Sequence, residues 1–229
     1  MKLSIFLPLF LTLPACVAPA SIGLAPNADQ QALLTPDGVL KELDEGNQRY
    51  VEGRLSEPNV AARIAMGTKG QYPKAVVLSC LDSRVPVELV FDQGIGDLFV
   101  GRVAGNVENE DQLGSMEFAT KLSGVKAVIV LGHQACGAVK GACDGAKMGN
   151  LTALLSKIQP ALDAVPVVEG EQRNSKNKDF VERVVEANVR QTVADILSRS
   201  AVLSELVADG SIKVVGAIYS LETGEVRWL

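Results

Sequence analysis

Two short stretches of the sequence hold residues that could bind a metal ion or move a proton. The stretch "SCLDSR" contains Cys80, Asp82 and Arg84, and the stretch "GHQACG" contains Cys136 and His133, which is the only histidine of the chain. Zinc accepts a mixture of thiolates and imidazole, and three protein ligands with a fourth position open are typical of catalytic zinc sites. These residues therefore predict a metal site, provided that the two stretches meet in the folded chain.

Each of these residues could also have an ordinary structural role. A histidine after an apolar strand is usually a hydrogen-bonded core residue, and a cysteine at a strand end is usually a small buried hydrophobe. Cys80 and Cys136 could form a disulfide, and Asp82 with Arg84 could be an ordinary ion pair. The spacing favours a metal, with Asp82 as a candidate fourth ligand in a closed form, but these structural roles stay open. We interpret Cys143 as a packing residue.

The apolar pattern predicts a single α/β domain with a central, mostly parallel sheet flanked by helices. Apolar runs rich in β-branched residues predict four strands, over residues 74–81, 97–103, 125–133 and 211–221. Helical patterns lie before and between them, starting at Thr35 and covering 85–91, 111–122, 149–165 and 178–198. Cys80 and His133 then lie at the carboxyl ends of two strands, where parallel sheets gather their ligands.

The N-terminus has the order of an export signal, with a positive charge, a short apolar run and small residues. The run is shorter than the ~20 residues that span a bilayer, so we expect no membrane span. "LPAC" predicts a lipid anchor at Cys16, "APA" predicts cleavage after Ala20, and both stay open. We predict an export signal over 1–20, a tether over 21–34 and one catalytic domain over 35–229, in the periplasm or lipid-anchored to the envelope.

The composition argues against nucleic acid as a partner. The net charge is −5 and only 4% of residues are aromatic. The chain therefore lacks the basic stripe that neutralises phosphates and is poor in the rings on which bases stack.

Several motifs, in order along most of the chain, resemble the β-class carbonic anhydrases. They are "CLDSR", "GDLFVGRVAGN", "GSMEFA", "VLGHQACGAVKG" and "VVGAIYSLETGEV". The resemblance, to an exported bacterial member, implies one zinc ion per chain and the reversible hydration of carbon dioxide to bicarbonate and a proton by zinc-bound hydroxide. Because that family builds its pockets at a dimer interface, it also implies a homodimer or a tetramer of dimers.

Carried over position by position, the resemblance assigns roles to individual residues. The implied zinc ligands are Cys80, His133 and Cys136. Asp82 and Arg84 become a dyad that governs the fourth position on the metal. The implied substrate-binding residues are Gln71, Phe99, Phe118 and Gly137. Two positions depart from the family pattern: Val103 replaces a common asparagine, and Phe118 replaces a common tyrosine, which removes a hydroxyl from the pocket.

Other functions are compatible with part of this pattern. A hydrolase of carbon disulfide or carbonyl sulfide on the same scaffold would use the same zinc site, and a non-catalytic zinc-binding or bicarbonate-binding protein could retain it. A thiol redox protein is less well supported, because the sequence has no C-x-x-C motif. If His133 is a ligand, the chain has no other imidazole to carry a proton.

Overall fold

A computed structural model describes residues 23–229 of the chain. The predicted export signal, with Cys16 and Ala20, lies outside the described residues. Within residues 23–229, no helix is both long enough and apolar enough to cross a membrane.

The core of the fold is one five-stranded sheet in the order β2-β1-β3-β4-β5. The strands are β1 (Ala75–Ser79), β2 (Leu98–Arg102), β3 (Ala127–His133), β4 (Lys213–Tyr219) and β5 (Val226–Trp228). The first four strands are parallel to one another, and β5 is antiparallel to β4. The predicted mostly parallel sheet is therefore confirmed, with a short antiparallel edge strand that the apolar pattern did not predict.

Both faces of the sheet are covered, which explains why its central strands are apolar up to their last residues. Every residue of β1 and of β3 is buried. Val76 and Val128 belong to the core on one face, whereas Val77 and Ile129 belong to the core on the other face. Alternation of side chains along a strand sends successive residues to opposite faces, so both sets must be apolar.

Ten α-helices surround the sheet within the described residues. They are α1 (Ala28–Ala32), α2 (Pro36–Val51), α3 (Val60–Gly67), α4 (Val87–Val90), α5 (Glu110–Glu117), α6 (Gly137–Cys143), α7 (Gly149–Ser156), α8 (Gln159–Ala164), α9 (Lys178–Arg199) and α10 (Ala201–Ala208). A π-helical turn, Phe118–Leu122, continues α5. The helix predicted over 149–165 is two helices, because Pro160 lies in the first turn of α8 and a proline there cannot donate a hydrogen bond to a preceding turn.

The segment predicted as a tether needs a correction over its described part. Residues 28–32 form α1, which begins with a capping box between Asn27 and Gln30. Gln31 is buried and donates hydrogen bonds to the carbonyls of Pro73 and Ser123, both at 2.7 Å. This short helix is therefore packed on the domain, since its buried amide satisfies two backbone carbonyls of the loops beside the sheet.

Helix α9 packs very close to the sheet because two strand residues have no side chain. A Cβ atom on Gly132 of β3 would lie 2.5 Å from Cγ2 of Val189, and one on Gly216 of β4 would lie 2.7 Å from its Cγ1. At distances this short a larger residue fits only if the side chain of Val189 or the helix shifts. The two glycines thus bring α9 to the part of the sheet that ends at His133.

Candidate metal centre

The parallel pairing of β1 with β3 brings the two motifs together. Ser79, the last residue of β1, lies opposite Leu131 of β3, so Cys80 follows its strand where His133 ends the neighbouring one. Both side chains lie in the interior, with exposures of 5% for Cys80 and 0% for His133. The sequence prediction that both would lie at the carboxyl edge of the sheet is confirmed.

A sharp turn between β3 and α6 supplies the third residue of the group. Ala135 has a φ of +53°, and the turn that it makes places Cys136 immediately before the first residue of α6, Gly137. Ligand atoms of Cys80, His133 and Cys136 all lie within 4.8 Å of one another, and all three residues are buried.

The spacing of the sulfur atoms fits a tetrahedral metal ion rather than a disulfide. Sγ of Cys80 and Sγ of Cys136 are 3.9 Å apart, whereas bonded sulfurs are separated by about 2.05 Å. Two zinc–sulfur bonds of about 2.3 Å at a tetrahedral angle would place the sulfurs about 3.8 Å apart. Among the described residues both are free thiols, so the disulfide alternative is wrong for this structure.

His133 has the hydrogen-bonding pattern of a metal ligand. Its Nδ1 lies 2.8 Å from the backbone carbonyl of Gln134, which fixes the proton on Nδ1 and leaves a lone pair on Nε2. Nε2 is buried and has no hydrogen-bond partner. Because a buried polar atom without a partner is costly, this nitrogen fits a cation that the two sulfurs would also contact.

A hydrogen bond joins the two sulfurs and shifts the pKa of both. A hydrogen bond from Cys136, with further help from the backbone N–H of Gly105, lowers the pKa of Cys80 well below its usual value. The same hydrogen bond and burial raise the pKa of Cys136. A divalent cation would displace the proton of this hydrogen bond, since cysteine binds metals as thiolate.

Asp82 lies beside this group and is held by Arg84. Its Oδ1 accepts hydrogen bonds from the backbone N–H and the Nε of Arg84, both at 2.9 Å, and its Oδ2 accepts one from Nη2 at 2.7 Å. This pairing holds the pKa of Asp82 well below its usual range. Oδ2 is 3.7 Å from Nε2 of His133, but Asp82 is not part of the group whose ligand atoms all lie within 4.8 Å.

Three residues that the motifs did not single out support the two stretches. Arg102 donates from Nε to the carbonyl of Cys80 at 2.9 Å and from Nη2 to the carbonyl of Asp82. Gly105, with a φ of +74°, donates its N–H to Sγ of Cys80 at 3.3 Å. Glu182 of α9 accepts the N–H of Ala135. Arg102 is the last residue of β2, the strand beside the one that leads to Cys80, so its role could have been predicted from the sequence. No residue near Glu182 in the sequence indicates that it contacts Ala135.

The predicted substrate-binding residues, unlike the metal ligands, do not all lie close together. Gly137 lies next to Cys136, and nothing is within 4 Å of the position of its absent Cβ. Phe99 pairs in the sheet with Val76, four residues before Cys80, which corresponds to about 13 Å along the strand. Its ring packs against Phe118, with 6.4 Å between ring centroids.

Gln71 is also distant from the cysteines and histidine of its own chain. It is an exposed residue of the loop before β1 and lines a crevice with Tyr72, Ile95 and Leu98. The loop lies at the amino end of β1, whereas Cys80 follows the carboxyl end. A single chain therefore assembles the metal ligands and the Asp82–Arg84 pair, but not the predicted aromatic wall or the glutamine.

Comparison with known proteins decides the family. The sequence pattern of the family described as carbonic anhydrase matches residues 75–226. The chain belongs to the carbonic anhydrase family. "Carbonic anhydrase 2" of Mycobacterium tuberculosis is 38% identical over 190 residues, which cover 82% of this chain and 90% of the relative. The predicted family is therefore confirmed by similarity over most of the chain.

Solved structures of carbonic anhydrases identify the class. A tetrameric β-carbonic anhydrase of Sordaria macrospora is 25% identical, with a TM-score of 0.63 over 72% of this chain and 85% of that one. The β-carbonic anhydrase of Coccomyxa is 25% identical, with a TM-score of 0.64 over 83% of this chain and 86% of that one. This carbonic anhydrase accordingly has the β-class fold.

Proposed function

We propose that this enzyme catalyses the reversible hydration of carbon dioxide to bicarbonate and a proton, with one zinc ion per chain. The observation that carries the proposal is the buried group of Cys80, His133 and Cys136 directly beside the Asp82–Arg84 pair. Membership of the carbonic anhydrase family supports the same reaction. Zinc bound by these three ligands would act as a Lewis acid and lower the pKa of a water molecule toward neutrality.

The residues around the ligands keep them in the form that binds a cation. The carbonyl of Gln134 fixes the proton of His133 on Nδ1, so Nε2 offers its lone pair. The N–H of Gly105 points at the Cys80 sulfur and partly balances the charge of the thiolate. Burial of all three ligands limits the access of bulk water.

Asp82 and Arg84 act on the attacking water molecule. An ionised Asp82 can accept a hydrogen bond from that water and aim its lone pair at the carbon of carbon dioxide. Arg84 donates hydrogen bonds to both oxygens of Asp82, which would keep the carboxylate from binding the metal itself. The product proton would leave through water or buffer, because the only imidazole of the chain would be engaged as a metal ligand.

The remaining pocket residues are proposed to come from a second copy of the chain. Gln71, Phe99 and Phe118 lie far from the metal ligands of their own chain, yet Phe118 is 49% exposed at the edge of the sheet. A partner docked against strand β2 could offer these residues to the neighbouring site. We propose a homodimer or a tetramer of dimers, and the Sordaria macrospora relative is a tetramer.

Export is proposed from the N-terminal sequence alone. The order of charge, apolar run and small residues in positions 1–20 supports secretion to the periplasm or anchoring to the envelope. Cell fractionation followed by mass spectrometry of the N-terminus tests this. A lipid-modified Cys16 or a new terminus after Ala20 would support export, whereas an intact N-terminus in the cytoplasm would contradict it.

Removal and return of the metal test the catalytic proposal. The purified protein should contain about one zinc per chain, lose carbon dioxide hydration when a chelator removes it, and recover activity when zinc is added back. A His133→Ala variant serves as the matched control, because it should neither retain zinc nor recover activity. Activity that persists in zinc-free protein would overturn the proposal.

A further inference from the structure

The turn between the ligands His133 and Cys136 depends on one residue in an unfavourable conformation. Ala135 has a φ of +53°, in the left-handed region. The other described residues with positive φ, apart from glycines, are Asp92 and Asn106, types that tolerate this region well. Alanine has no side chain that can stabilise the conformation by a local hydrogen bond. Something outside the turn must therefore hold it.

The residue before Ala135 is fixed by strand β4. The N–H of Gln134 donates to the carbonyl of Tyr219. Its side-chain Oε1 accepts hydrogen bonds from the hydroxyl of Ser220 at 3.0 Å and the N–H of Leu221 at 2.9 Å. These contacts place the first half of the turn but leave Ala135 and the direction of Cys136 undetermined.

The N–H of Ala135 is held by a carboxylate from a distant helix. It donates to Oε1 of Glu182 at 2.8 Å, a partly buried contact between residues 47 positions apart. Because an unpaired N–H that is shielded from water is costly, this contact favours the backbone conformation that presents the N–H of Ala135 to Glu182. Glu182 lies on α9, and α9 is held close to the sheet by Gly132 and Gly216.

We propose that Glu182 is a positioning residue that holds Ala135 in its left-handed conformation, so that Cys136 points at the same centre as His133. The inference rests on the proposed zinc site, because its consequence is the affinity of that site. It assigns to Glu182 no contact with the metal or with the substrate. It also predicts that zinc affinity depends on the side-chain oxygen of Glu182 as a hydrogen-bond acceptor. The negative charge of Glu182 should affect zinc affinity much less.

Four variants separate these contributions: Glu182→Ala, Glu182→Gln, Ala135→Gly, and Ala135→Gly combined with Glu182→Ala. Zinc affinity is measured on the full zinc-loaded protein by competition with a chromophoric chelator, and the cobalt(II) absorption spectrum reports the coordination geometry. Loss of a residue that orients a ligand weakens metal binding by about ten- to a hundredfold, which we expect for E182A, together with an altered cobalt spectrum.

Two rescues are specific to the proposed mechanism. E182Q retains an acceptor oxygen and should bind zinc within about threefold of the wild type, well short of the loss expected from removing an outer ligand partner. Glycine adopts positive φ without strain, so A135G should remove most of the loss caused by E182A in the double variant.

The opposite results would overturn the inference. Unchanged zinc affinity in E182A would show that the turn keeps its conformation without Glu182. Equal losses of affinity in E182A and E182Q would show that the charge of Glu182 matters. Failure of A135G to restore affinity in the double variant would show that Glu182 does not act through the left-handed conformation of Ala135. A wild-type protein without zinc would overturn the proposed function and this inference with it. A zinc-loaded wild type with normal E182A affinity would overturn only the inference.

Discussion

At the scale of single residues, hydrogen-bond partners fix the orientation or the protonated atom of the functional side chains. Arg84 gives Asp82 three hydrogen bonds, and Gln134 determines which nitrogen of His133 is free. Sequence spacing predicted the metal ligands because they follow the ends of two strands, whereas the Asp82–Arg84 dyad was implied only by the family resemblance. The contact of Glu182 with Ala135 could not be predicted, because residues 47 positions apart leave no local pattern.

Replacing Arg84 by alanine should reduce turnover without removing the metal. Asp82 would lose its bidentate partner and be free to approach the fourth position on the metal. We expect carbon dioxide hydration to fall by about ten- to a hundredfold, with zinc still near one per chain. The matched control is Arg190→Ala, which removes an exposed arginine paired with Glu186 on α9 and should leave turnover unchanged. Full activity in R84A would contradict the role given to the dyad.

The ligand set also predicts the pH dependence of the reaction. Water on zinc held by three histidines has a pKa of about 7. Thiolates from Cys80 and Cys136 would cancel the charge of the metal, so the corresponding water should ionise at higher pH. Because the deprotonated form attacks, stopped-flow rates should rise between about pH 6.5 and about pH 9. Equal rates across this range would be inconsistent with a two-thiolate site.

At the scale of elements, the carboxyl edge of the sheet determines where the chemistry lies. The apolar runs predicted four strands and their parallel arrangement, because strands buried on both faces need no polar alternation. The short elements were not predicted: α1, α3, α10 and β5 were all missed. Helices of five to eight residues give too few turns for a clear periodic pattern, and tertiary packing stabilises them instead.

Adding one methyl group under α9 should destabilise the protein. In Gly216→Ala the new Cβ would lie 2.7 Å from Cγ1 of Val189, and overpacking of this kind costs about 1–3 kcal/mol of unfolding free energy. Chemical denaturation measures the change. Val189→Ala in the same chain should recover part of the loss, because it removes the methyl group that clashes.

A control separates this packing effect from any effect of alanine itself. Gly67 is the last residue of α3, and nothing lies within 4 Å of an added Cβ there. Gly67→Ala should leave stability unchanged or raise it slightly, since alanine favours a helix. Equal losses in G216A and G67A would refute the proposed close approach of α9 to the sheet.

At the scale of the whole molecule, one chain provides the metal site but only part of the proposed pocket. The family resemblance assigned Gln71, Phe99 and Phe118 to that pocket, and the fold places them away from the metal ligands of the same chain. Sequence spacing alone could not reveal this division, because an interface between copies leaves no periodic signal within one chain.

Replacing Phe118, the exposed member of its pair with Phe99, should therefore separate the copies and strongly reduce turnover. Phe118→Arg would place a charge on a half-exposed ring position packed against Phe99. We expect sedimentation velocity to show monomers, with zinc retained and turnover reduced by about a hundredfold through loss of substrate positioning. Val167→Arg, at a side chain that is 80% exposed, is the control and should remain assembled. A fully active F118R monomer would disprove the shared pocket.

The most direct test of the proposed reaction is the rate of carbon dioxide hydration by stopped flow, with zinc and carbonyl sulfide hydrolysis measured on the same purified sample. We predict about one zinc per chain, rapid hydration of carbon dioxide and no comparable hydrolysis of carbonyl sulfide. Zinc at that level without carbon dioxide hydration would contradict the proposed reaction, leaving a sulfur-analogue hydrolase or a binding protein as the function of the site.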